Sequence, residues 1–130
     1  IARVPLASGL LSGKFKKDTR FETNDHRLFN RNGEAFDVGE TFSGVPYEVG
    51  LDAVEKVRPL VSGDTTMAKF ALRWILMFDA VTVAIPGARN PAQARSNAEA
   101  AGLPAISQAA MQEIRSIYDT YIRQYVHQRW

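Results

Sequence analysis

The stretch from Val81 to Asn97, VTVAIPGARNPAQARSN, constrains the fold more than any other, because it holds a strand, a tight turn and a helix start in succession. Val81 to Ile85 is short, apolar and β-branched, bounded by Asp79 and by Pro86-Gly87, which predicts a buried strand. Pro86 ends it, having no N–H for a ladder. Asn90 then reads as an N-cap with Pro91 at the first helical position, so a helix is expected over 91–101, with Gly102 ending it. A strand that runs into a helix start leaves free N–H groups and the positive end of the helix dipole beyond its carboxyl end, where an anion is stabilised. Arg89 lies in that turn. Gln93 and Asn97, four apart on one helix face, are expected to point with it toward one ligand.

A second strand is expected over 1–6, leaving through Ala7-Ser8-Gly9, whose small residues let backbone approach a ligand closely. From Phe15 to Gly44 no period of 2 or 3.6 is sustained, which predicts a long loop of the kind that often serves as a lid. Phe15, Phe21, Phe29, Phe36 and Phe42, five of the seven phenylalanines, fall in it and call for burial. Helices are predicted over 47–60, shortened by Pro59; over 66–78, capped by Asp64 or Thr65; and over 108–126, capped by Ser107. The second of these is apolar on almost every face, leaving Lys69 and Arg73 as its wet edge. The tyrosines of the last match a half-buried amphipathic face, and Tyr125 to Trp130 reads as a surface tail. Strand and helix patterns alternate, so the two strands should lie parallel, joined by a crossover.

Length argues that this is part of a larger α/β unit: a closed (β/α)8 barrel takes at least about 200 residues, and only two strands are readable in the 130 here. Ile1 already lies inside the first strand pattern, so a piece of a longer protein is expected. Sixteen basic residues against fourteen acidic ones, with a net charge of +2, form no long like-charge block. Although residues 14–31 are basic and interleaved with aromatics, nucleic acid is not an expected partner. The absence of cysteine excludes thiolate chemistry and suits a cytoplasmic protein. The apolar run from Trp74 to Phe78 is broken by Arg73 and Asp79, which excludes a membrane span there. His26 and His127 stand alone, without metal-ligand spacing, and no Walker, GxGxxG or GxSxG sequence occurs.

Ile85-Pro86-Gly87-Ala88-Arg89-Asn90-Pro91-Ala92-Gln93, with Asn97, resembles the last strand and following helix of the aldo-keto reductases. Val4-Pro5-Leu6-Ala7-Ser8-Gly9-Leu10-Leu11-Ser12-Gly13-Lys14 is similar to the seventh strand of that family and the loop along the cofactor pyrophosphate. The resemblance implies the C-terminal fragment of a (β/α)8 TIM barrel, an incomplete domain over 1–130, with two parallel strands, flanking helices and a long loop. It implies NADPH as cofactor, held by Pro5, Leu6, Ala7 and Gly9, by Lys14, and by Gly87, Arg89, Gln93 and Asn97. Asn24-Asp25-His26-Arg27 resembles the segment whose arginine reaches the phosphates in some members, which adds Arg27. Ser96 stands where many members carry a glutamate near the adenine.

The reaction implied is hydride transfer from NADPH to a small aldehyde or ketone. The family's tyrosine acid and its aspartate, lysine and histidine partners come from earlier strands, so no catalytic residue is assigned here and the 130 residues alone are expected to be inactive. Two readings are open: part of a carbonyl reductase, or part of a non-catalytic relative like the potassium-channel β-subunits. Unpaired strand edges predict self-association of the isolated chain.

Overall fold

In the computed structural model, which describes residues 1–129, two short strands lie side by side and parallel. Strand β1 (Ala2–Arg3) pairs with β2 (Ala84–Ile85), Ala2 opposite Ala84 and Arg3 opposite Ile85, and the Ala2 N–H donates to the Val83 carbonyl at 2.8 Å. The chain between them supplies α1 (His26–Phe29), α2 (Tyr47–Val57) and α3 (Met67–Ile75). After β2 come α4 (Pro91–Glu99), α5 (Gln108–Ile117) and α6 (Arg123–Val126), the last two joined without a break by a π-helical turn at Tyr118–Ile122. Trp130, the end of the expected tail, lies outside the described residues.

Both strands are shorter than the sequence pattern suggested. β1 stops because Val4 takes a left-handed conformation (φ 49°) and Pro5 has no N–H; the chain then curls through Ala7–Ser12 in 3-10 geometry. The expectation of a buried strand at 81–85 is corrected: Val83 is 43% and Ile85 59% exposed, and Ile1 at the start of β1 is 82% exposed. Each strand has one hydrogen-bonded neighbour among the described residues, so one edge of each is unshared and no second layer covers these side chains.

The core sits instead between the glycine turn, the long loop and α2. Leu10, Phe42, Tyr47, Leu51, Val54 and Met67 form it, with Phe15 and Phe21 packed on its rim. Helix α2 can approach the turn because Gly50 faces Leu10; a Cβ there would stand 2.4 Å from Leu10 Cδ2. Three of the five loop phenylalanines thus find burial. Phe29 and Phe36 do not, remaining 43% exposed and packing edge to face on each other at 6.0 Å.

The loop is more ordered than its lack of period implied. Besides α1 it holds 3-10 turns at Val38–Glu40 and Phe42–Gly44, built around fully buried Asn30 and Thr41. Asn30 Oδ1 accepts from the Ala35 and Phe36 N–H groups, and Nδ2 donates to Thr41 Oγ1. A side-chain amide with four hydrogen-bonding sites replaces the backbone ladder that this segment lacks.

The helix ends follow capping rules, with one shift. Asn90 and Ser107 cap α4 and α5 as expected, and Pro59 turns the end of α2 into a 3-10 turn, Arg58–Leu60. Thr66, rather than Asp64 or Thr65, caps α3 by accepting from the Lys69 N–H. The wet edge of α3 is also used: Lys69 pairs with Glu99 at 2.6 Å, and Arg73 Nε donates to the Pro104 carbonyl. Among the described residues no helix is long and apolar enough to cross a membrane, and no acid, histidine and cysteine cluster could hold a metal.

Candidate functional site

Parallel pairing brings the carboxyl ends of β1 and β2 to the same edge, and a cleft of about 390 Å3 opens there. Pro5, Leu6, Gly9, Arg27, Gly87, Arg89 and Gln93 line it, together with Val4, Ser8, Pro86 and Ala88. The two motifs far apart in the chain therefore meet at one site. No Asp or Glu is among the lining residues, whereas two arginines are, a donor set suited to an anion.

The wall from β1 is a strained turn. Val4, Ala7 and Ser8 all have positive φ (49°, 46° and 55°), which costs non-glycine residues on the order of 1–2 kcal/mol each. Local hydrogen bonds hold it: the Ala7 N–H donates to Val4 O, the Gly9 N–H to Leu6 O, and the Phe42 N–H to Ser8 Oγ. Gly9, at φ 91°, suits the position on conformational grounds and on space, since a Cβ would meet the Phe15 ring at 3.1 Å and the Arg27 guanidinium at 3.5 Å.

Arg27 is fixed by four contacts. Its Nε and Nη2 donate to the Asp25 carboxylate, its Nη1 donates to Ser8 O at 3.3 Å, and its guanidinium lies over the Phe21 ring at 4.7 Å and the Phe15 ring at 5.5 Å. Asp25 also caps α1 by accepting from the Arg27 N–H. The Arg27 side-chain hydrogen bonds hold the Asp25 carboxyl at about 2, against an ordinary 3.8, and the same pairing raises Arg27 above its ordinary value. The arginine stays charged and cannot swing freely.

The wall from β2 is stapled by its own helix. Gln93 Oε1 accepts from the Arg89 N–H at 2.7 Å, Asn90 Oδ1 accepts from the Gln93 N–H at 2.9 Å, and Asn97 Nδ2 donates to Gly87 O at 3.1 Å. Gln93 and Asn97, expected to point at a ligand, thus set the shape of the turn; Gln93 also lines the cleft, while Asn97 lines a neighbouring apolar groove between α3, β2 and α4. Arg89 is exposed at the rim, and Gly87 has open space where a Cβ would be. Ala7 shapes the turn without lining the cleft. Lys14 is exposed beyond the turn and is not brought to it.

Sequence reasoning missed what the side chains of Ser8 and Asp25 do. Ser8 links the turn to the long loop, which no local pattern reveals. Asp25 had a readable signal, being two residues before Arg27 at an N-cap position.

The model of the aldo/keto reductase family matches residues 1–119, from before β1 into the π-helical turn, and so takes in both walls of the cleft. No curated protein and no solved structure gives a significant match. With the family match covering most of its length, the chain belongs to the aldo/keto reductase family.

Proposed function

We propose that the chain is the NADPH-binding, C-terminal part of a (β/α)8 barrel that reduces small aldehydes or ketones in the cytoplasm. The family's chemistry is oxidoreduction. The observation that carries the finer reading is that one cleft at the strands' carboxyl ends is fed by both motifs and lined by two arginines and no acid; barrels put their active sites at that end.

The residues fit a dinucleotide carrying several phosphates. Exposed Arg89 is free to form charge-assisted bonds with a 2′-phosphate, and Arg27, anchored by Asp25, offers fixed positive charge toward the pyrophosphate. The Leu6 to Gly9 turn presents backbone at close range, and Gly87 leaves room beside it. When bound, NADPH supplies the hydride; these residues bind and orient. The proton for the developing alkoxide comes from the family's tyrosine, which belongs to earlier strands.

Arg89→Ala tests the reading. Loss of a charge-assisted bond worth roughly 1.5–3 kcal/mol should weaken NADPH about ten- to 150-fold while leaving NADH nearly unchanged, measured by calorimetric titration. Equal losses for both cofactors would refute a 2′-phosphate role.

A further inference from the structure

A second cleft, of about 420 Å3, adjoins the first, with Val4 in the wall of both. Two ion pairs converge in it on one turn of the long loop. Arg129 Nη2 donates to both carboxylate oxygens of Asp37, at 2.8 and 3.0 Å, across 92 residues of chain. Arg3 Nη1 and Nη2 reach the Glu40 carboxylate at 3.4 Å. The Arg129 guanidinium lies over Gly39 and Gly44, where a Cβ would meet it at ordinary contact distance, 3.7 Å and 3.6 Å. Asp37 Oδ1 also accepts from the Gly39 N–H at 2.7 Å, so the carboxylate that holds Arg129 caps the same turn.

The far side of this turn bears on the first cleft. Phe42 and Ser43 have positive φ (49° and 58°), as Val4, Ala7 and Ser8 do, and the Phe42 N–H donates to Ser8 Oγ at 3.2 Å. Ser8 O in turn accepts from Arg27 Nη1. Two strained segments are therefore held against each other by few bonds. Such conformations persist only where their surroundings over-determine them.

We infer that Arg129, acting through Asp37, is a positioning residue for the nucleotide cleft: it clamps the 37–44 turn, which holds the Ser8 turn and with it Arg27. The inference rests on the nucleotide reading of that cleft. Among the described residues, Arg129 and Asp37 form no hydrogen bond or ion pair with a residue lining the nucleotide cleft, so their effect is transmitted through Phe42 and Ser8.

The test uses the whole barrel protein of which this chain is part, as Arg129→Met, Arg129→Lys and Asp37→Asn, with amide hydrogen exchange at Phe42 and NADP+ affinity as readouts. Arg129→Met and Asp37→Asn should speed Phe42 exchange and weaken NADP+ by about two- to fivefold each, the range of a partly exposed ion pair. Arg129→Lys, which keeps the charge, should recover most of both. Raising the salt to about 1 M should speed Phe42 exchange more in the wild type than in Arg129→Met, where only the Arg3–Glu40 pair is left to screen. Unchanged exchange at Phe42, with faster exchange confined to residues 37–39, would overturn the clamp even where NADP+ binds normally. A wild-type barrel protein that does not bind NADP+ refutes the nucleotide reading and, with it, the positioning role, whereas faster Phe42 exchange in the variants still demonstrates the clamp itself.

Discussion

Replacing Asp25 with asparagine keeps an N-cap acceptor on α1 and removes the charge that fixes Arg27. A carboxyl held at about 2 rather than 3.8 contributes at most about 2.5 kcal/mol to folding by proton linkage. The pair sits at the rim of the cleft, with side chains 17% and 18% exposed, and solvent screening reduces the expected value to about 1 kcal/mol. The sign follows from the lowered value: the stabilisation is fully present above the unfolded value of 3.8 and is lost as pH falls through about 2. Urea unfolding of the wild type and Asp25→Asn should therefore show a gap of about 1 kcal/mol at pH 7 and pH 5, shrinking below pH 4 and mostly gone by about pH 2. Because Arg27 keeps its aromatic contacts in both proteins, a gap equal at pH 7 and pH 2.5 would mean that packing, not charge, accounts for the difference, and the anchored-arginine account would fail.

Two further outcomes are expected. Phe42 is fully buried against Phe21 and Tyr47, so Phe42→Ala should cost about 3–5 kcal/mol in denaturant unfolding, while Phe29→Ala on the exposed pair should cost under about 1 kcal/mol; similar losses would place the core elsewhere. The 130 residues alone should show no carbonyl reductase turnover and should associate with rising concentration in sedimentation, since Ile1, Val83 and Ile85 are exposed beside unshared strand edges. A stable monomer over a wide concentration range would show that these edges are covered in another way.

What was legible in the sequence had local causes. Asn90 before Pro91 and Ser107 before α5 are capping signals that need no tertiary information, and they placed both helix starts correctly. Alternation of strand and helix patterns required parallel strands, which is what β1 and β2 form. Burial at 81–85 was misread because apolar, β-branched composition reports what a strand can bury, not whether neighbours are there to cover it. The long loop showed no period because Asn30 and Thr41 organise it through side-chain hydrogen bonds between residues five to eleven apart, a pattern invisible to a search for 2 or 3.6. At the cleft, the family resemblance pointed to Arg27 and Gly87 and the turns themselves to Arg89 and Gly9, while the roles of Gln93 and Asn97 as staples depended on distances that spacing alone does not fix.

The contact between Gly50 and Leu10 couples two positions forty residues apart. Leu10 belongs to the turn whose left-handed residues shape the cleft, and its side chain occupies the space that a Cβ on α2 would take. Alanine at 50 would favour the isolated helix by about 1 kcal/mol yet force Leu10, and the turn with it, to move. In evolutionary terms the two sites are not free to drift separately: a side chain can appear on the helix only where the residue opposite has first become shorter.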